Sequence, residues 1–138
     1  MLTRAVFAFA LICALVGPAA AETKVVALGI AAKEVTQEEL AAGTDLPKPK
    51  FNTAAVAYVL AADVKKGDTV AIALTLGGKL LLRNEETLAE DTTTLVLQAG
   101  KRGVPAGGWP EGNYAASLKI TRDGKTIIEQ TSEPLAFD

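Results

Sequence analysis

The chain has 138 residues, 14 basic against 16 acidic side chains and a formal charge of −2, with no histidine and a single cysteine. This length predicts one domain with one hydrophobic core, and the lack of a basic excess makes nucleic acid an unexpected partner. Zinc, copper, haem and iron–sulfur sites depend on His, Cys or Met ligands, and Ser-His or Cys-His nucleophiles need the same residues; neither class is expected here.

The first segment has three zones: a short positive end closing at Arg4, an apolar run from Ala5 to Val16, and Gly17-Pro18-Ala19-Ala20-Ala21. That order is the pattern of a cleavable secretory signal peptide over residues 1–21, leaving Glu22 first and a mature net charge of −3. The apolar run is too short for the ~20 residues that cross a bilayer, so the mature chain is not expected to be membrane-embedded. Cys13 sits within the run with Ala10-Leu11-Ile12 before it, a poor lipidation signal, and it leaves with the leader. Residues 22–138 then form one domain without a disulfide, in the periplasm or outside the cell.

Along that domain, period-two alternation predicts strands. Val26, Leu28 and Ile30 make the first row. Glu34 to Ala42 contains helix formers enough for a turn or two before Gly43, Pro47 and Pro49 end it. From Ala54 to Ala61 the larger Val56, Tyr58 and Leu60 alternate with Ala55, Ala57 and Val59, which predicts a buried strand. After the turn Lys66-Gly67-Asp68, Val70, Ile72, Leu74 and Leu76 alternate with Thr69, Ala71, Ala73 and Thr75. Gly77-Gly78 before Leu80-Leu81-Leu82 predicts a hairpin with a primed two-residue turn. Thr94 to Gln98 is another strand, with Leu95 and Leu97 inward. Tyr114, Ala116, Leu118 and Ile120 form the inward row of the penultimate strand, and Asp123-Gly124 turns it into the last, Lys125 to Ser132.

About seven short strands punctuated by turns predict an all-β fold, an immunoglobulin-like antiparallel β-sandwich; a lipocalin-like barrel would need more strands of even length and a row facing its lumen. Val70, Ile72, Leu74, Leu118 and Ile120 are expected to meet between two sheets, since a slip of one residue would turn each row to solvent.

At Gly108-Trp109-Pro110-Glu111-Gly112-Asn113-Tyr114, followed one strand later by Asp123-Gly124-Lys125, the chain resembles secreted bacterial immunoglobulin-like domains that carry a GWPxGxY turn, a strand, a DGK-type hairpin and a closing strand. Phe51-Asn52-Thr53 and Lys66-Gly67-Asp68 resemble the same group more loosely, and the Gly100 to Gly107 stretch departs from its pattern. The resemblance implies a sandwich in an extracytoplasmic setting and assigns no catalytic residue. Physically, Pro110 pre-sets a turn, Gly112 permits an awkward backbone angle, and Tyr114 opens a strand where a tyrosine-corner hydroxyl would reach nearby backbone.

Candidate chemistry is sparse. Ser117 and Lys119 share a strand face, but on the solvent side, where nothing would desolvate the lysine for catalysis. Glu85, Glu86, Glu90 and Asp91 form an acidic cluster without the spacing of a calcium loop, so no metal is expected. Lys65-Lys66 and Lys101-Arg102 read as surface pairs, and Gly100 to Gly108 lacks nucleotide-loop spacing. No cofactor is expected, and the domain is not expected to be an enzyme. The expected function is a non-enzymatic envelope binding or accessory module for a protein or glycan, acting through the loop at Trp109, Pro110 and Glu111 or through a sheet face flattened by Ala71, Ala73 and Ala115. The other class is a carboxylate-dependent, glycosidase-like hydrolase using two acids from Glu85, Glu86, Glu90, Asp91 and Glu111 across a cleft. Trp109 is expected to be buried over the sandwich end, capping the core.

Overall fold

A computed structural model of the protein describes residues 22–101 and 103–137. The expected leader, residues 1–21, and the Arg102 half of the Lys101-Arg102 pair lie outside them. The chain is all-β, with two antiparallel sheets facing each other across the core. In chain order the strands are β1 (Lys24–Ala31), β2 (Ala55–Val64), β3 (Thr69–Leu76), β4 (Lys79–Thr87), β5 (Thr92–Lys101), β6 (Asn113–Arg122), β7 (Lys125–Thr131) and the short β8 (Leu135–Ala136). One sheet has the order β1-β2-β5 and the other β4-β3-β6-β7, with β8 also pairing β6. Among the described residues no helix is long and apolar enough to cross a membrane.

The expected core row is present: Val70, Ile72 and Leu74 of β3 and Leu118 and Ile120 of β6 are all fully sealed. They are cross-strand neighbours, with Val70 opposite Ile120 and Ile72 opposite Leu118. Both predicted hairpins have primed turns, in which both central residues take positive φ, as the twist of the flanking strands requires. Gly77 and Gly78 have φ of 57° and 85°, and Asp123 and Gly124 have 52° and 78°.

One row differs from expectation, on β1, and on β2 the structure settles a choice that the alternation left open. On β2 the small residues Ala55, Ala57, Val59 and Ala61 face the core. Val56, Tyr58 and Leu60 lie on the opposite face, where Val56 and Leu60 are nonetheless buried. The end of the Tyr58 ring lies over Gly29, where a Cβ would come within 2.7 Å of its hydroxyl, so a larger residue there would have to displace the Tyr58 side chain. On β1, a register shift between Val25 and Ala27 makes Val26 an extra residue. Such a bulge reverses the alternation beyond it, so Val25, Leu28 and Ile30 pack on the core while Val26 is 53% exposed.

The predicted helix shortens to α1 (Gln37–Ala41), started by a capping box in which the Thr36 side chain accepts from Glu39 N and the Glu39 side chain accepts from Thr36 N. Glu39 also pairs with Lys33, whose hydrogen bond lowers the Glu39 pKa. The segment is anchored to the sheet by Gln98 of β5. Its amide accepts from Val35 N at 2.8 Å and donates to Val35 O at 2.9 Å, so a side chain completes both backbone hydrogen bonds of the buried Val35.

Candidate functional site

The GWPEGNY segment folds into one end of the sandwich. Gly107 and Gly108 have φ of 82° and 88°, in the left-handed region that glycine adopts without strain. Gly108 is constrained twice, because a Cβ there would also lie 2.9 Å from the Phe51 carbonyl. Trp109 N then donates to Phe51 O at 2.8 Å, and the indole Nε1 donates to Thr53 O at 2.8 Å. The indole is 7% exposed, the core-capping arrangement expected of it. What this loop turns to solvent is Pro110 and Glu111, not the ring.

Tyr114 is fully buried, and its hydroxyl donates to Pro110 O, as a tyrosine at the opening of this strand should. Burial away from water raises its pKa. Phe137, which follows β8, stacks on the Tyr114 ring at 3.8 Å between centroids and an interplanar angle of 6°. Trp109 meets both edge-on, at 6.1 Å from Tyr114 and 5.9 Å from Phe137. Sequence reasoning missed Phe137. It lies beyond the last predicted strand, where the chain is interrupted at Ser132–Pro134, and there the Ser132 hydroxyl accepts from Ala116 N at 2.8 Å in place of a ladder carbonyl.

The far end of β6 holds a second feature that sequence reasoning passed over as a turn. Asp68 is the one fully buried charged residue among the described positions. Arg122 Nε donates to its Oδ1 and Arg122 Nη2 to its Oδ2, both at 2.8 Å, and Lys65 N donates to Oδ2 at 3.0 Å. The Arg122 hydrogen bonds, with that backbone N–H, outweigh desolvation and hold the Asp68 carboxyl below its ordinary pKa. Arg122 Nη2 also donates to Thr23 Oγ1 at 2.9 Å, and the Thr23 hydroxyl donates to Asp63 O. These bonds tie β6 to the residue that leads into β1.

The predicted acidic cluster does not converge. Glu85 pairs with Arg83 at 2.6 Å, Asp91 accepts from Lys66 N at 2.8 Å, and Glu86 lies opposite the core residue Val70 on the other face of β4 from Glu85. Among the described residues no group of three or more His, Cys, Asp or Glu is placed to hold a metal ion.

On the outer face of β4-β3-β6-β7 there is a shallow depression of about 240 Å³. Ala71 and Ala73 of β3 and Ser117 of β6 floor it; Leu80 and Arg83 of β4 wall one side, Lys119 and Glu129 the other. The register explains it, since Arg83, Ala73 and Ser117 form one cross-strand row, and Ala71, Lys119 and Glu129 the next. Leu80 and Arg83 of β4, Lys119 of β6 and Glu129 of β7 are long side chains around the short Ala71, Ala73 and Ser117. Leu80 is 54% exposed, the largest exposure among the big apolar residues described. Ala115, expected on this face, is almost covered. Ser117 and Lys119 are on the solvent side as expected, and Glu129 is the only carboxylate among the described lining residues, so the paired acids of a glycosidase are not assembled among them.

No protein-family model matches the chain, and no curated protein matches it either.

Proposed function

We propose that the chain is an exported, non-enzymatic binding module with an immunoglobulin-like sandwich, engaging a protein or glycan of the cell envelope through the outer face of β4-β3-β6-β7. The observation that carries this reading is the alanine-floored depression, in which an apolar floor and the exposed Leu80 lie between charged side chains of both signs. Such a surface accepts a flat sugar ring or an apolar side chain at its centre and hydrogen-bonds it at the rim. The strand order β1-β2-β5 facing β4-β3-β6-β7, with a buried tyrosine at the opening of β6 bonded to backbone upstream, supports the immunoglobulin-like assignment and the resemblance carried by GWPEGNY. Export to the periplasm or beyond rests on the leader pattern of residues 1–21.

Two measurements test it. Amino-terminal sequencing of the protein recovered from the envelope or medium should begin at Glu22; retention of the leader would remove the exported reading. A photo-crosslinking residue at the exposed Lys119 position of the rim should capture one defined envelope protein or glycan, and adding Ala73→Trp, which fills the depression from a solvent-facing position, should abolish that capture while leaving the melting temperature unchanged. Capture that survives Ala73→Trp would move the contact off this face.

A further inference from the structure

The two sheets are unequal, and the difference exposes one strand edge. The β4-β3-β6-β7 sheet has one more full strand than β1-β2-β5, and β5 packs over both β3 and β4. The inward face of β4 therefore extends past β5 with no strand opposite it. Its inward residues Leu82, Asn84 and Glu86 pair with Leu74, Ile72 and Val70. Those three partners are sealed, whereas Asn84 and Glu86 are exposed and Leu82 is half-buried. Asn84 and Glu86 thus stand in solvent beside the edge of β5.

The other edges carry a bulge or register shift as well as charges, whereas β5 has no register shift and one charge, at its last residue Lys101. Folded proteins blunt edge strands with bulges, charges and proline, since an unpaired ladder is a template for another chain. β1 carries a bulge and Lys24; β4 carries a register shift and four charged residues; β7 carries a register shift, Lys125 and Glu129. β5 keeps a single register on β2 from Ala55 opposite Lys101 to Val64 opposite Thr92, and has no charge from Thr92 to Gly100. One polar group reaches its edge: Asn84 Nδ2 donates to Gln98 O at 2.8 Å. That bond also identifies which backbone groups point outward. In an antiparallel strand the N–H and C=O of one residue point the same way and alternate residues point oppositely, so Thr94, Val96 and Gln98 offer theirs to this edge while Leu95 and Leu97 turn to β2.

We propose that the free edge of β5 takes an extended peptide segment of another polypeptide, which becomes a fourth strand of the β1-β2-β5 sheet and lies over the inward face of β4. Backbone hydrogen bonds to Thr94, Val96 and Gln98 supply the affinity, with Asn84 releasing Gln98 O as the segment enters. Its chemistry follows from the floor: alternate apolar side chains cover Leu82, and a Lys or Arg follows where the segment passes Glu86. A second copy of this chain fits less well, because its β5 would bring its own β4 into the space that the first β4 already occupies. The inference uses a different surface from the alanine-floored depression and does not depend on it.

Residue-resolved hydrogen exchange on the purified protein tests the idea. Without ligand, the Thr94 and Val96 amides should exchange at least tenfold faster than those of Leu95 and Leu97; equal protection would mean that the edge is already covered, and would overturn the proposal. A set of short capped peptides, alternating Val and Thr with one Lys at successive positions, is then added. With a binding member at about ten times its Kd, exchange at Thr94 and Val96 should slow about tenfold. Failure of every member to slow it, or slowing confined to β1, β7 or the outer face, would refute the assignment. Val96→Lys places a charge on the edge at a half-exposed position, so it should keep the melting temperature and lose the peptide effect. Peptide binding that survives Val96→Lys, or protection of Val96 through self-association without peptide, would equally overturn it.

Discussion

The two ends of β6 are closed by opposite chemistry. At its start, Trp109, Tyr114 and Phe137 form an aromatic cluster whose polar atoms are satisfied by loop carbonyls. At its end, Arg122 reaches around Asp68 and Thr23 to join two turns and the beginning of β1. The aromatic end works by removing area from water, a contribution that is large, undirected and insensitive to pH. The ionic end works by directed bonds to a buried carboxylate, which contribute less but specify which segments meet. A sandwich without disulfides among its described strands uses both: bulk stabilisation where loops must be gathered, and direction where strands must be aligned.

That comparison can be broken one end at a time. Trp109→Ala should have the largest effect, about 3 to 5 kcal/mol of lost stability, because it empties a core site and frees Thr53 O. Chemical denaturation would show it; an unchanged midpoint would deny the aromatic end its role. Asp68→Asn should cost less, about 1.5 to 3 kcal/mol, the range for hydrogen bonds to a charged group.

The pH dependence separates the ends further. Asp68 has a folded pKa below its unfolded value, so its stabilisation is present above about pH 4 and is lost as pH falls through the folded pKa. The stability gap between wild type and Asp68→Asn should therefore shrink on acidification below pH ~4, while the gap for Trp109→Ala stays constant. A constant gap for Asp68→Asn would show that its carboxylate is not the group responsible.

Smaller still is Tyr114→Phe, which keeps the ring stack and removes the hydroxyl bond to Pro110 O, at about 1 kcal/mol. At the bottom of the series, Arg83→Ala removes an exposed pair with Glu85 and should change stability by less than ~1 kcal/mol. A larger loss would mean that the rim of the depression is structural.

Much of this architecture was legible in the order of residues. Strict alternation located β3 and β6 because a strand with one face in the core has a period of two, and paired residues of positive φ marked both hairpins. Glycine before and after Trp109-Pro110 marked a built turn, and Tyr114 at the head of a strand marked a buried hydroxyl. The candidate binding face was legible only in part. Ala71, Ala73 and Ser117 were placed on the solvent side by alternation, but Leu80, Arg83 and Glu129, which make the walls, come from strands whose registers no local pattern sets.

By itself, then, the sequence determined an all-β chain, the composition of its central core and the positions of its tight turns, since each depends on period or on backbone angles a few residues apart. Tertiary structure alone decided which face of β2 enters the core, because both of its rows are apolar enough to be buried and only the packing of the opposite sheet chooses between them. It also decided that Val26 would be expelled by a bulge and that Asp68 would find Arg122 across 54 positions of sequence. The same holds for Phe137 reaching Tyr114 and for β5 keeping an open edge above β4. Each of these joins residues distant in the chain, where the free energy belongs to the contact and neither partner carries a local sign of the other.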